Sequence, residues 1–483
     1  MPNSLTLSLR VAALAAVAVF STASANDQQY TPADLHAYET FVLDNGMRVI
    51  LNNRGQSPTV TVRLVVGTGL NDYPCHKREL PHLVEHLTFS AYGDYSESEL
   101  DGMIASWGGA WNAYTYENRT TYDAYVHSDF LQAFSVLLTM MLEQTAFSDD
   151  DLETTRAVVH AEAGGVPSAI RQQLYRYGWF EGNAERAYRE FAPESSEWCG
   201  EIIDATAITR DDVIAYREQQ HRADNLTLIV VGKFDVAEFK EVLSYTFGTM
   251  PGSPTRSFDM PQMTNTFHGT DYHTRGDALI GQEGYVCLEF GLPHWTHADR
   301  ATLVMIRSYL ETRIFEDLRV ANGMSYDPNA SINDFSDFSS LMIDASVAIG
   351  DMDEAISIME ALVEDLLANG IDEGWIDHIR TAMLFRLASR FESNTSIADF
   401  YENGLPILET RGEFIDLENF YADVTTERTI DVANRYLQLD SAMRYTSRPM
   451  LSYSGAVVVL LLPFIAFFVF RAMRRRRGQR SEA

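Results

Sequence analysis

The uncharged run from Met450 to Phe470, MLSYSGAVVVLLLPFIAFFVF, sets the first boundary on any fold open to this chain. Its 21 residues make ~31 Å of helix at ~1.5 Å rise, the thickness of a bilayer's hydrocarbon core. Pro463 is tolerated inside such a helix. Arg471 and the run Arg474 to Arg477 follow at once, so the tail 471–483 is a cationic flank of the kind that stays cytoplasmic. A buried core helix is the rival reading, and it fits poorly beside that flank. At the other end, Arg10 precedes an apolar stretch closing on Ala23-Ser24-Ala25, which reads as an export signal spanning 1–25. Read as bacterial, the two segments predict a single-pass inner-membrane protein. The body would lie in the periplasm, with 450–470 as transmembrane helix.

The body between them is rich enough in apolar residues to fold, at 46% of the 483-residue chain. That length calls for more than one domain. A net charge of −31, with only three lysines, excludes a nucleic-acid partner, because the surface repels phosphates. The acidity has two readings, a solvated surface or a cavity that draws basic peptides. Three cysteines allow one disulfide in an oxidising compartment; Cys75 with Cys199 is the first guess, and spacing does not fix it.

Two apolar runs around Asp44-Asn45-Gly46 predict a hairpin. A helix follows after Pro81, another ends at Gly108-Gly109, and a Tyr- and Thr-rich strand starts at Trp111. Ser148 is a candidate cap for the acidic-headed helix SDDDLETTRAVVHAEAGG. NLTLIVVGKFD reads as a buried strand, and 249–276, rich in Pro, Gly, Ser and Thr, as a linker. The expectation is an α/β (α+β) chain of two similar domains, 36–248 and 277–445. Each would be a mixed β-sheet flanked by helices, with the catalytic machinery in the first.

Residues 79–90, ELPHLVEHLTFS, carry the chemistry. On a helix His82 and His86 are four apart and share a face, and Glu85 borders it. Two imidazoles can hold one metal ion, and a neighbouring carboxylate can act as a base on water. A bare match of this length arises by chance in a few per cent of chains, so its surroundings decide.

Those surroundings resemble the pitrilysin/insulinase family of zinc endopeptidases, whose signature is His-x-x-Glu-His. GGAWNAYTYENRTTYDAYV is similar to that family's Gly-Gly-x-x-Asn-Ala-x-Thr segment. The resemblance implies that Asn112 and Ala113 lie on a strand beside the metal, where an extended substrate peptide adds as a further strand. It also implies that Glu162, in TTRAVVHAEAGG, is the third ligand of one zinc ion per chain, with His82 and His86 as the others and Glu85 as the base. FEDLRVANGMSYDPNA resembles the family's Leu-Arg-x-x-x-Gly-x-x-Tyr segment, which implies that Arg319 and Tyr326 reach a catalytic site and steady the substrate carbonyl or oxyanion. Thr155 departs from the pattern, for the family has a supporting acid there, seven residues before the third ligand.

The resemblance runs over roughly 38–445 and is to half-length members, in which two chains close around a chamber. It implies a peptide substrate, short or unfolded, and a homodimer or a heterodimer with a related half-length subunit. Arg319 and Tyr326 would then serve the opposite chain's metal. A non-catalytic scaffold subunit of the same fold is the alternative. An acidic adhesion or transport accessory protein is a third class. His160, two residues from Glu162, faces elsewhere on its helix and reads as structural.

Overall fold

The computed structural model describes residues 35–480 apart from 56, 93–94, 145–146, 167, 171–172, 174–185, 188–189, 192–203, 255–268, 276–278, 293–296, 335–338 and 418. The export signal 1–25 and Cys199 lie outside the described residues. Cys75 is disulfide-bonded, and Cys287 is free and buried.

Two sheets organise the body. The first takes β1 (Glu39–Val42), β2 (Arg48–Asn53), β3 (Thr59–Val66), β6 (Ala110–Thr115), β7 (Thr120–His127) and β8 (Leu226–Gly232), in the order β1-β2-β8-β3-β7-β6. A small separate pair, β4 (Ala91–Tyr92) and β5 (Tyr95–Ser96), joins two helices. The second sheet takes β9 (Thr270–Arg275), β10 (Glu283–Gly291), β11 (Asn329–Asp334), β12 (Ser339–Ala348) and β13 (Met443–Arg448), in the order β11-β12-β10-β13-β9.

Laid side by side, the five strands of the second sheet match five of the six in the first, β1 being the one without a counterpart. β6-β7-β3-β8 and β11-β12-β10-β13 are antiparallel throughout, and each closes with one parallel pair, β8 with β2 and β13 with β9. Both halves are therefore mixed sheets with one topology, as the strand–helix alternation predicted. One stretch differs from the reading. Part of 249–276, expected to be linker, is strand β9, held by its register with β13 from Thr270↔Met443 to Arg275↔Arg448. That partner is remote in sequence, so local composition carries no sign of it.

The β1–β2 hairpin turns at Gly46, whose φ of +92° suits glycine; a Cβ there would meet the Ser253 carbonyl oxygen at 2.0 Å. On one face of the first sheet Val60, Val62, Leu64 and Val66 pack with Leu100, Phe134, Leu138 and Leu228, which is the alternation that β-branched strands provide. Helices on that side are α1 (Leu80–Ser90), α2 (Glu97–Ser106) and α3 (Leu131–Glu143). They are followed by α4 (Asp149–Glu162), α5 (Arg210–Gln220) and α6 (Val236–Tyr245). Ser148 caps α4 as predicted: its hydroxyl accepts from Asp151 N at 3.0 Å, and Asp151 accepts from Ser148 N at 2.7 Å.

The second sheet is covered by α7 (His297–Ile314), which runs into a π-helical turn Phe315–Ala321, and by α8 (Met352–Asn369), α9 (Glu373–Arg390) and α12 (Thr426–Tyr436). Between them α10 (Asn394–Asn403) and α11 (Leu405–Arg411) leave their own half. Ile397, Ala398, Tyr401, Leu405 and Leu408 pack on the other face of the first sheet, against Ile50, Val65, Ile229 and Val231. At ~1.5–3 kcal/mol for each fully buried large side chain, this contact is a main tie between the halves. The exchange is reciprocal: Ala187 and Phe191 from the first half pack against Cys287, Met443 and Tyr445 of the second sheet.

α13 (Tyr453–Arg480) ends the described chain. Its span Tyr453–Arg471 is long and apolar enough to cross a membrane, and beyond Ala456 at its root it stands exposed. At its root Leu451 bonds back to Leu279 and Gly281, and Leu279, Ile280, Met450 and Tyr453 are all exposed.

Candidate metal centre

The helix α1 packs on α4 and beside β6, so that residues from three separate stretches of sequence converge. Leu80, Leu83, Val84 and Leu87 anchor α1 in a cluster with Leu152 and Val159 of α4 and Tyr216 of α5. The same helices thus turn His82 and His86 toward Glu162 at the last turn of α4. The three ligand atoms lie within 4.8 Å of one another. His82 Nε2 is 3.2 Å from His86 Nε2 and 3.2 Å from one Glu162 oxygen, and His86 Nε2 is 3.5 Å from the other. A tetrahedral zinc site with bonds of about 2.1 Å has ligand–ligand edges of about 3.4 Å. The donor set, two imidazole nitrogens and one carboxylate on a partly exposed edge, fits that ion and leaves a fourth position open.

Glu85 lies under the pair, 7% exposed, and Thr115 of β6 donates to its Oε2 at 2.7 Å. Burial raises the Glu85 carboxyl above the usual range, against the Thr115 hydrogen bond and both histidines, which pull it down. The His82 ring feels burial, which lowers its pKa. The hydrogen bond that the ring donates to Glu79, with the neighbouring carboxylates, outweighs that, and the net direction is up.

Asn112 and Ala113 sit on β6, which ends the sheet; among the described residues no strand pairs with its outer edge. Ala113 is buried on the metal side with Tyr122, while the exposed Asn112 side chain turns to the other face and donates to Tyr114 OH at 3.0 Å. Arg319 and Tyr326 stand together in the second half. Gly323, at φ +63°, lets the chain turn between them, so that Arg319 donates to the Tyr326 carbonyl at 2.7 Å and stacks on its ring at 4.5 Å. Tyr326 is 81% exposed, and among the described residues neither makes a bond or ring contact with His82, Glu85, His86 or Glu162.

Thr155 is buried in α4. His160 is buried as well and accepts from the Ala205 backbone N–H at 3.0 Å, which suits the structural reading. Two residues at the site were missed in the sequence. Thr115 is the threonine of the Asn-Ala-x-Thr segment, so its signal was present and its role was not drawn. Glu79, 3% exposed, lies 3.0 Å from His82 Nδ1 and has no motif of its own.

With this geometry the chain matches two family profiles: Insulinase (Peptidase family M16) over residues 48–188, and Peptidase M16 inactive domain over residues 207–383. His82, His86 and Glu162 all fall in the first match. The mitochondrial-processing peptidase subunit beta of Blastocladiella emersonii is 26% identical over 300 residues, 60% of this chain and 62% of that protein, so the aligned part spans less than two thirds of it. The uncharacterized zinc protease YmxG of Bacillus subtilis is 21% identical over 74% of this chain and 85% of its own length. The crystal structure of the periplasmic protease PqqL from Escherichia coli superposes with a TM-score of 0.68 at 15% identity. That likeness, which is one of fold, covers 86% of this chain and 48% of PqqL.

Proposed function

Because this chain belongs to the M16 (insulinase, pitrilysin) peptidase family, we propose that it is a membrane-anchored zinc metalloendopeptidase acting on short or unfolded peptides outside the cytoplasm. One observation carries the proposal: two histidine nitrogens and a carboxylate spaced at 3.2, 3.2 and 3.5 Å beside a buried glutamate. His82, His86 and Glu162 hold one zinc ion per chain, which supplies the Lewis acidity for hydrolysis of a peptide bond. Glu85, held at one oxygen by Thr115, takes the proton from the attacking water and passes it to the leaving amine. The free edge of β6 at Asn112–Ala113 binds the substrate backbone as an added strand, which aligns it without reading its sequence. An extended peptide fits that edge; a folded one does not.

Arg319 and Tyr326 complete the site of a second chain, where they steady the carbonyl oxygen as charge develops on it. The exposure of Tyr326, and the match of this chain to about half of PqqL, support a dimer of this chain with itself or with a related half-length subunit. The exposed apolar α13, with the apolar loop at Leu279–Ile280 beside its root, supports anchoring in the inner membrane with the arginine-rich end in the cytoplasm. Thr155 favours a second reading, a non-catalytic subunit, because no acid stands at its place in α4.

The test is zinc content and cleavage of a quenched peptide pool by the full chain in detergent, with Glu85→Gln as control. About one zinc per chain is expected, with a loss of cleavage on the order of 10²–10⁴-fold in the variant, which still binds zinc. Zinc without cleavage in the wild type favours the second reading; no zinc overturns the peptidase reading and selects the non-catalytic subunit.

A further inference from the structure

Glu79 directly precedes α1 and is 3% exposed. Taking a carboxylate out of water costs several kcal/mol unless a partner compensates. The partner is a metal-site histidine. Glu79 Oε2 lies 3.0 Å from His82 Nδ1, on the side of the ring opposite the nitrogen that faces His86 and Glu162. The His82 ring is thus gripped at one nitrogen and offered to the site by the other.

We propose that Glu79 is the positioning residue of the metal centre, its carboxylate accepting the Nδ1–H of His82. That bond fixes the tautomer whose Nε2 carries the lone pair, sets the ring plane, and raises the basicity of the ligand. The proposal rests on the zinc reading above. Thr155 has no carboxylate to give, and among the described residues Glu79 is the only carboxylate bonded to that Nδ1. In this chain the supporting charge comes from the residue ahead of the histidine helix, not from α4. The arrangement also explains why a glutamate is buried immediately ahead of the helix that begins at Leu80-Pro81.

The experiment compares the full-length wild type, Glu79→Gln and Glu79→Ala for zinc affinity by chelator competition. It also records the visible absorption of the cobalt(II)-substituted proteins, which reports ligand geometry, and the melting of the metal-free forms. Glu79→Ala is expected to bind zinc ~10–100-fold more weakly and to show an altered cobalt spectrum. Glu79→Gln, which keeps volume and an acceptor oxygen but not the charge, should fall between. It carries the comparison if the alanine variant does not fold. Wild-type zinc affinity and cobalt spectrum in Glu79→Gln and in any folded Glu79→Ala would overturn the proposal and leave the zinc reading standing. A wild type that binds no zinc overturns both.

Discussion

Glu402, on the helix α10 that crosses from the second half, should be among the costliest side chains to remove. It is 5% exposed and takes three donors from the first half: Arg63 Nη1 at 2.9 Å, Arg119 Nε at 2.8 Å and Thr121 Oγ1 at 2.8 Å. Removing one partner of a buried ion pair costs ~3–5 kcal/mol, because the other charge is left without compensation. Here Arg63 keeps Asp123 at 2.6 Å and Asp399 at 2.5 Å, and Arg119 is open enough to recover water. Glu402→Ala should therefore sit at the low end, about 3 kcal/mol, and Glu402→Gln, which keeps an acceptor, nearer 1–2 kcal/mol. Urea unfolding of the full chain in a mild detergent measures the loss. Amide exchange in α10 shows whether the helix detaches from the first sheet. A loss under ~0.5 kcal/mol for Glu402→Ala, with α10 protection unchanged, would refute the idea that this charge network clamps the halves together.

If each site borrows from the opposite chain, mixing Glu85→Gln with Arg319→Ala should restore up to about a quarter of wild-type cleavage, by the statistics of random pairing in a symmetric dimer. No gain over either parent sinks the shared-site reading. Deleting residues 450–483 should release the body from membranes into the soluble fraction without loss of zinc; continued sedimentation with membranes would contradict anchoring by α13. His221 is buried beside Arg217, and burial, then that charge, pull its pKa down to about 3. The folded form therefore refuses a proton that the unfolded chain accepts below its ordinary value of 6.5. The stabilising effect is complete above that pH and is lost as pH falls toward 3, by up to ~1.4 kcal/mol per unit. Unfolding of His221→Gln between pH 7 and 4.5 should show a shallower decline than wild type; parallel curves would count against this account.

What the sequence made legible was local, or tied to a motif. The turn at Asn45-Gly46, the cap at Ser148 and the burial of NLTLIVVGKFD follow from neighbouring residues, and each is found where its chemistry placed it. His82 and His86 were legible because four residues on a helix make one face. Glu162 came only from the likeness of TTRAVVHAEAGG to a family helix, since nothing in spacing ties α4 to α1. Strand β9 and the crossing of α10 were illegible for one reason: their partners are remote, and composition does not record a remote partner. Glu79 was hidden differently. A lone acid before a helix reads as surface charge, and only the packed fold shows that water cannot reach it.

The reciprocal crossing of helices has a consequence in time. About 160 residues separate the end of β8 from α10, so at ~5–20 residues per second the first sheet is complete some 10–30 s before its cover emerges. During that interval Ile50, Val65, Ile229 and Val231 form a bare apolar face. A chain folding as it is made would pass this stage with that face open to other polypeptides. Holding factors and quality-control proteases should meet the nascent protein there, and a chain broken off before residue 394 should be cleared rather than stored.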